Sequence, residues 1–383
     1  MLDFFRLGRL RLVAFAAIPF LLGVLAVPSA DLVIAGRLVL YGVVLHLFAC
    51  HVNDFADLEY DRANPVRRES PLVTGTVAPS RVLLWILTEA IVLSATIWTS
   101  PIPLWVRVGL FSMLFVAGYG NIFQKRSSWI SPLVMDYIFG FGSAVHLMFT
   151  AGALGAVIRP VLVVVVVING FVLVMVNSYG GNLKDLEHDR GAGLRTTAIV
   201  SGVVTCGGRL VFTATYVAFL TVAQAGVVTG ALIVTILRPG VFTCAASILA
   251  LGSTAGLVRQ LRDPNWGAEP ASDPAHPLAA LGRPWWIFAD LVVVLAAATA
   301  FAAPRSVLAV ACAVTAWSGF AAAASAARKL HRRRTTSARR SRRPHTAGAV
   351  SSRRAAEVPR QMPDHGSPPS AAVRPVRPRP GDG

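Results

Sequence analysis

Long apolar stretches, nearly free of charged residues, follow one another along most of this sequence. Residues 10–27, 83–98, 161–176 and 289–303 show the pattern most clearly. A helix needs about 17–25 apolar residues to cross a hydrocarbon core. Charged residues make up 14% of the 383 residues, against about 25% in a soluble domain. The amphipathic partner helices that a large soluble core would require are missing from the sequence. We therefore predict an all-α polytopic membrane protein.

The apolar stretches predict nine or ten transmembrane helices. They lie at residues 10–27, 32–52, 82–99, 104–122, 132–151, 158–179, 208–236, 240–258, 286–303 and 306–327. With a cytoplasmic N-terminus, 16 Lys and Arg of the first 327 residues fall on the cytoplasmic side and five on the other. Positive residues favour the cytoplasmic side. Ten spans also return the basic C-terminus to the cytoplasm, whereas nine would leave it outside.

The C-terminal segment differs from the rest of the chain. Residues 328–383 hold 15 Lys and Arg against three acids and are rich in Pro, Ser and Ala. Such a segment has too little apolar content to offset the entropy cost of folding. We predict a transmembrane domain at 1–327 and a disordered cytoplasmic tail at 328–383. Because the tail is tethered to a membrane, anionic lipid headgroups are a better partner for it than nucleic acid, which we do not expect.

A six-residue motif occurs twice in the polar connections. Residues 57–62 read DLEYDR and residues 185–190 read DLEHDR, each after an even-numbered predicted span. Side chains four residues apart lie on one face of a helix. Asn53, Asp57 and Asp61 therefore form one stripe of oxygen ligands, and Asp185 with Asp189 forms a second.

Two facing stripes of carboxylates would repel each other without cations between them. Oxygen ligands of this kind suit Mg²⁺, which bridges protein carboxylates to substrate phosphates. Basic residues beside the acids are candidates for a diphosphate clamp. They are Arg62, Arg67, Arg68, Lys125, Lys184, Arg190 and Arg195. A single D-x-x-x-D pair is often a solvated helix end, but two similar copies in equivalent positions favour a metal and diphosphate site.

The two motifs resemble those of the UbiA superfamily of intramembrane prenyltransferases. That family carries N-x-x-x-D-x-x-x-D after its second span and D-x-x-x-D after its sixth, which here are Asn53–Asp57–Asp61 and Asp185–Asp189. The flanking residues 53–57, 181–185 and 191–197 are also similar to the family.

The resemblance, which covers roughly residues 6–303, implies a helical bundle around a central cavity. Two Mg²⁺ ions on the five motif residues would hold a prenyl diphosphate at the cytoplasmic mouth, where Asn53 and the basic residues also contact the diphosphate. The family usually has nine spans. It often has a Tyr and a Lys near the diphosphate, for which Tyr119 and Lys125 are the matches.

The function expected from the resemblance is Mg²⁺-dependent transfer of a prenyl group to an electron-rich small-molecule acceptor within the cell membrane. An aromatic acceptor is favoured, but the acceptor's identity stays open and includes a glycerol lipid or a specialised metabolite. Two other functions stay open. A UbiA-type terpene cyclase would use the same metal motifs without an acceptor, and a non-enzymatic cation transporter would use the acids as a path for ions. Transport sites tend to lie at mid-membrane, whereas these motifs are predicted at the interface.

One further acid stands out inside an apolar stretch. Asp136 opens the fifth predicted span, and buried membrane acids are costly and often functional. Two interpretations are open: Asp136 helps to position an acceptor, or it is hydrated at the membrane interface.

Overall fold

Long apolar helices account for most of the structure, a computed structural model that describes residues 2–9, 12–64, 67–123, 125–126, 129–183, 185–206, 209–263 and 285–317. Within these ranges, seven helices are long and apolar enough to cross a membrane. They are Leu32–Ala56, Pro79–Thr99, Leu104–Phe123, Pro132–Ala153, Pro160–Gly181, Ala214–Leu237 and Val241–Arg262. Large apolar side chains such as Ile91, Phe115 and Ile236 are more than two-thirds exposed, as lipid-facing residues are.

The helices are numbered here in chain order. In the first half they are α1 Leu2–Leu7, α2 Val13–Leu25, α3 Leu32–Ala56, α4 Leu58–Asp61, α5 Pro79–Thr99, α6 Leu104–Phe123, α7 Pro132–Ala144 and α8 His146–Ala153. In the second half they are α9 Pro160–Met175, the π-helical turn Val176–Gly181, α10 Leu186–Gly191, α11 Thr197–Val200, α12 Ala214–Leu237, α13 Val241–Arg262 and α14 Trp285–Ala298. A last apolar helix, α15, runs over Pro304–Trp317.

Seven of the predicted spans coincide with the seven long helices, whereas the first, ninth and tenth coincide with the shorter α2, α14 and α15. The short α1 comes before the first predicted span. The seventh span begins at Ala214 instead of 208, because β1 Val204–Cys206 pairs antiparallel with β2 Arg209–Val211. A Gly-Gly pair between two short runs of β-forming residues favours such a hairpin. The choice between nine and ten spans stays a prediction, and the tail 328–383 lies outside the described residues.

Local sequence signals set the helix starts. Pro79, Pro132 and Pro160 occupy the first helical positions of α5, α7 and α9, where the missing N–H costs nothing. The Asp31 carboxylate accepts hydrogen bonds from the amides of Val33 and Ile34 at the start of α3. It therefore satisfies two amides that have no partner within the helix.

Glycine permits the close contact between α7 and α9. A Cβ atom at Gly140 would lie 2.5 Å from Cγ2 of Val174 and 2.7 Å from the carbonyl oxygen of Gly170. Small residues at such crossings let membrane helices approach backbone to backbone. One turn from this crossing, short polar side chains of α7 can therefore reach the end of α9.

A buried polar cluster joins α12, α13 and α14. Ser253 Oγ donates to Asp290 Oδ1 at 2.5 Å, and Gln224 Nε2 donates to the same oxygen at 3.3 Å. The exposed fractions of Asp290, Ser253 and Gln224 are at most 2%. Hydrogen bonds between membrane helices contribute to their association.

Replacing Ser253 with alanine is expected to destabilise the protein by about 1 kcal/mol. It removes two interhelical hydrogen bonds, the one that Ser253 donates to Asp290 and the one that it accepts from Gln224 at 2.9 Å. Unfolding of the purified protein in detergent micelles would measure this. Ser112→Ala is the control, because the Ser112 hydroxyl is exposed and bonds only to the carbonyl of Val108 on its own helix. Equal stability of the two variants would contradict the prediction.

Candidate active site

The first acidic motif lies where α3 passes into α4. The amide of Asp57 donates to the carbonyl of Asn53 at 2.9 Å, and that of Asp61 donates to the carbonyl of Asp57 at 2.8 Å. This i to i−4 pattern keeps the three residues on one face, as predicted. Asp57 and Asp61 are 6% and 8% exposed, so both carboxylates are largely removed from water.

The second acidic motif has the same local geometry. The amide of Asp189 donates to the carbonyl of Asp185 at 2.8 Å, at the start of α10. Gly193, with φ of +68°, turns the chain after α10. Asp189 is 3% exposed, whereas Asp185 is half-buried.

Lys125 lies between the two motifs. Its Nζ atom is 3.3 Å from Asp57 Oδ2 and 3.8 Å from Asp189 Oδ2. Its carbonyl oxygen accepts a hydrogen bond of 2.9 Å from the amide of Arg195, in the loop after α10. The two acidic motifs, which are 128 residues apart in the sequence, thus face each other across one ammonium group.

Arg126 holds the other oxygen of Asp57. Its Nη2 atom donates to Asp57 Oδ1 at 2.9 Å and to the carbonyl of Ala56 at 2.6 Å. Its guanidinium carbon lies 5.2 Å from the ring centre of Tyr60. Sequence reasoning missed this residue, although it is adjacent to Lys125 in the loop after α6. Its position next to a predicted clamp residue was the available signal.

Burial and charge shift the pKa values of three groups. Burial raises the pKa of Asp61 to about 6 against the opposing effect of Arg67. Burial likewise raises the pKa of Asp189 to about 6, opposed by Lys125 and reinforced by Asp185 and Asp57. Burial lowers the pKa of Lys125, but Asp57, Asp189 and Asp185 outweigh it, so that pKa is raised. Carboxylates in this state gain most from an added cation.

Other predicted clamp residues have different surroundings. Arg67 Nε lies 3.7 Å from Asp61 Oδ1, whereas Arg62 and Arg68 are exposed. Arg190 donates to Glu187 at 3.2 Å and to the carbonyl of Val203. The Arg190 side chain therefore points toward the start of the hairpin and not toward the aspartates of the two motifs.

Lys184 and Tyr119 were also predicted to lie near the diphosphate. Lys184 lies outside the described residues. Tyr119 is 38% exposed, and its ring packs 4.9 Å from that of Phe123.

Asp54, next to the first motif, has its own partner. Arg9 Nη2 donates to Asp54 Oδ1 at 2.7 Å, and Asn53 Nδ2 lies 3.5 Å from the same oxygen. Because Arg9 neutralises Asp54, this acid contributes little free charge to the motif. The half-buried Asn53 keeps its side-chain oxygen for another ligand.

Among the described residues, no group of three or more His, Cys, Asp or Glu side chains is arranged as a metal site. The chemistry of the donor set nevertheless fits a divalent cation. The carboxylates of Asp57 and Asp189 already share one positive charge, that of Lys125. Asp61, Asp185 and Asn53 lie one turn along the same two stripes and add oxygen donors. Hard oxygen ligands without Cys or His favour Mg²⁺-like ions over transition metals.

Helices long and apolar enough to cross a membrane, with two acidic motifs that meet around Lys125, define a polytopic membrane protein with a charged site. The sequence profile of the UbiA prenyltransferase family matches residues 13–268. The chain belongs to the UbiA prenyltransferase family. This confirms the resemblance and, with the helices, the predicted class of all-α polytopic membrane protein.

A curated relative of this family is distant in sequence. A UbiA prenyltransferase, ClaS, from Ampulloclitocybe clavipes is 21% identical over 159 residues, which cover 42% of this chain. The chain matches about half (49%) of that relative's length.

Two solved structures share the fold. A UbiA homologue from Archaeoglobus fulgidus, bound to GPP and Mg²⁺, has a TM-score of 0.55 and 18% identity, over 76% of this chain and 99% of that one. A digeranylgeranylglyceryl phosphate synthase has a TM-score of 0.57 and 14% identity, over 78% and 97%. The Archaeoglobus protein has also been solved with Cd²⁺.

Proposed function

We propose that this protein transfers a prenyl group from a prenyl diphosphate to an electron-rich, aromatic acceptor within the membrane, with Mg²⁺ as cofactor. The observation that carries the proposal is the pairing of Asp57 and Asp189 across Lys125. Family membership and the structure of a homologue with GPP and Mg²⁺ support it. The orientation with cytoplasmic N-terminus and tail remains part of the proposal.

Five residues would hold the metal ions: Asn53, Asp57, Asp61, Asp185 and Asp189. When bound, Mg²⁺ neutralises the diphosphate and so makes it a better leaving group. Lys125 is the residue best placed to move from the carboxylates to a phosphate oxygen, because a metal ion would take over its role between them. Arg67 lies beside Asp61 and can contact the same diphosphate.

Arg126 is expected to stay in place during this exchange. It contacts a carboxylate, a main-chain carbonyl and an aromatic ring, so its release would cost several interactions at once. One oxygen of Asp57 therefore keeps its direction while the other becomes free for the metal. Of the two adjacent basic residues, Lys125 is therefore expected to move and Arg126 to stay in place.

The reaction breaks the bond between C1 of the prenyl group and the diphosphate oxygen, and the electron pair leaves with the diphosphate. The acceptor forms a bond to C1 and loses a proton. The apolar helices exclude water from this step, which limits hydrolysis to the alcohol.

Arg126→Ala is expected to raise the Mg²⁺ concentration needed for half-maximal activity about tenfold, since a hydrogen bond to a charged group contributes about 1.5–3 kcal/mol. Mg²⁺ titrations of diphosphate release would measure this. Arg107→Ala, which changes a basic residue at the opposite end of α6, is the control. An unchanged Mg²⁺ requirement in Arg126→Ala would show that Asp57 does not need this support.

The proposed function can be tested with the full-length protein in detergent. Farnesyl and geranylgeranyl diphosphate are incubated with and without Mg²⁺, and with an extract of aromatic metabolites. Diphosphate release and extractable products are analysed for the wild type, Asp57→Ala and Asp185→Ala.

Each outcome identifies one function. Mg²⁺-dependent release that requires the extract and is lost in both variants supports prenyl transfer. Cyclic hydrocarbons formed without the extract would show a cyclase. Failure to bind either diphosphate in the presence of Mg²⁺ would contradict both enzymatic functions and favour a cation transporter.

A further inference from the structure

The π-helical turn Val176–Gly181 leads directly into the second acidic motif, and its side chains converge on one carboxylate. Asn177 Nδ2 donates to Asp136 Oδ1 at 2.6 Å. Ser178 Oγ and Asn182 Nδ2 donate to Asp136 Oδ2 at 2.8 and 3.2 Å. Asp136 is fully buried, so it is not hydrated at the membrane interface. A role of Asp136 in positioning an acceptor stays a prediction.

The wide turn explains how two asparagines five residues apart reach the same acid. In an α-helix, such side chains point about 140° apart. Here the amide of Asn182 donates to the carbonyl of Asn177 at 3.1 Å, which is an i to i−5 hydrogen bond. The π-helical geometry therefore places Asn177 and Asn182 on one side, facing α7. Turns of this kind occur frequently at functional sites.

The position of the turn connects it to the proposed metal site. Asn182 is three residues before Asp185, and Asp189 follows one helical turn later. The contact between α7 and α9 at Gly140 brings the short Asp136 side chain within reach. If the turn relaxed to an ordinary α-helix, every later residue would rotate by about 100° around the axis. Asp185 and Asp189 would then no longer face Asp57.

We propose that Asp136 is a positioning residue for the second acidic motif: it holds the π-helical turn and thereby fixes where Asp185 and Asp189 lie relative to Asp57. This inference rests on the proposed function, because it concerns one half of the proposed metal site. Asp136 acts through the main chain and touches neither metal nor substrate. A substitution of Asp136 should therefore alter metal binding only by displacing the second motif.

The test uses Mn²⁺ as probe and the full-length protein in lipid nanodiscs, with bound Mn²⁺ measured by electron paramagnetic resonance. Asp136→Asn keeps the size of the side chain but replaces one acceptor oxygen by a donor. It is expected to weaken Mn²⁺ binding about 10- to 100-fold, as residues that orient metal ligands do. Asp290→Asn, which neutralises an equally buried acid in another polar cluster, is the matched control and should bind Mn²⁺ like the wild type.

A double-mutant cycle separates positioning from general damage. In a background with both Asp185→Asn and Asp189→Asn, Asp136→Asn should weaken Mn²⁺ binding no further. In an Asp57→Asn background it should produce its full loss. Equal losses in the two backgrounds, or no loss in the single variant, would overturn the inference.

Two other outcomes of the Mn²⁺ experiment also have a clear meaning. If Asp136→Asn does not fold, Asn182→Ala removes one donor to Asp136, leaves Asp136 in place and should show the same dependence on background. Absence of Mn²⁺ binding in the wild type would contradict the proposed metal site itself. That result differs from wild-type binding that is insensitive to Asp136, which would contradict only the present inference.

Discussion

Replacing Asp57 or Asp189 with asparagine is expected to lower the rate of Mg²⁺-dependent diphosphate release by about a thousandfold or more, equivalent to about 4 kcal/mol of transition-state stabilisation. Each change keeps the size of the side chain and removes one negative charge from the cation site. Because both carboxylates lie within 4 Å of the same ammonium group, the loss of either removes a negative charge at the point where the two motifs meet. Steady-state assays at saturating Mg²⁺ would measure the effect.

Asp31→Asn is the matched control for these variants. Asp31 starts α3, the helix whose other end carries the first motif, and its carboxylate caps two amides there. Asparagine is as good a cap as aspartate, so activity and stability should remain close to those of the wild type. Retention of more than a tenth of the activity in Asp57→Asn or Asp189→Asn would argue against metal binding between the motifs.

Lys125→Met is expected to change metal binding and turnover in opposite directions. In the wild type, Mn²⁺ must displace the Lys125 ammonium group from the carboxylates. Without that group, Mn²⁺ should bind the carboxylates about tenfold more tightly in the absence of diphosphate. Diphosphate release should fall about 100-fold or more, because a preorganised positive charge near the leaving group is lost. Electron paramagnetic resonance and the release assay measure the two effects separately.

The conservative variant supplies the control for Lys125. Lys125→Arg keeps the charge and should recover part of the activity, although the planar guanidinium differs in shape from an ammonium group. If Mn²⁺ binding and turnover decreased together in Lys125→Met, Lys125 would serve only to hold the two acidic motifs together. The proposed movement toward the diphosphate would then be wrong.

Sequence patterns were sufficient for the helices and for the spacing within each motif. The predicted starts near 32, 104 and 132 agree with α3, α6 and α7 because apolar length and Pro or Asp at the first turn are local properties. The hairpin at 204–211 was missed, since its short apolar strands resemble the first turns of a membrane helix.

Contacts between distant parts of the chain could not be inferred in the same way. Arg126 appeared as one basic residue among many, and Asp136 as an isolated acid whose partners lie about 40 residues further along the chain. The clamp prediction included Arg190, whose side chain contacts Glu187 and a main-chain carbonyl instead. The direction of a side chain depends on how the helices pack. The positions of charged residues in the sequence do not show that packing.

Hydrophobic length and a four-residue spacing act within one helix, so the sequence was enough to predict the membrane class, the long helices and the two stripes of acids. Which charges meet depends on how the helices pack. Lys125 lies between Asp57 and Asp189, and Asp136 holds the turn before Asp185, because helix crossings bring these groups together. The physical reason is that a carboxylate buried among helices must take its partners from whatever the fold places within hydrogen-bonding distance.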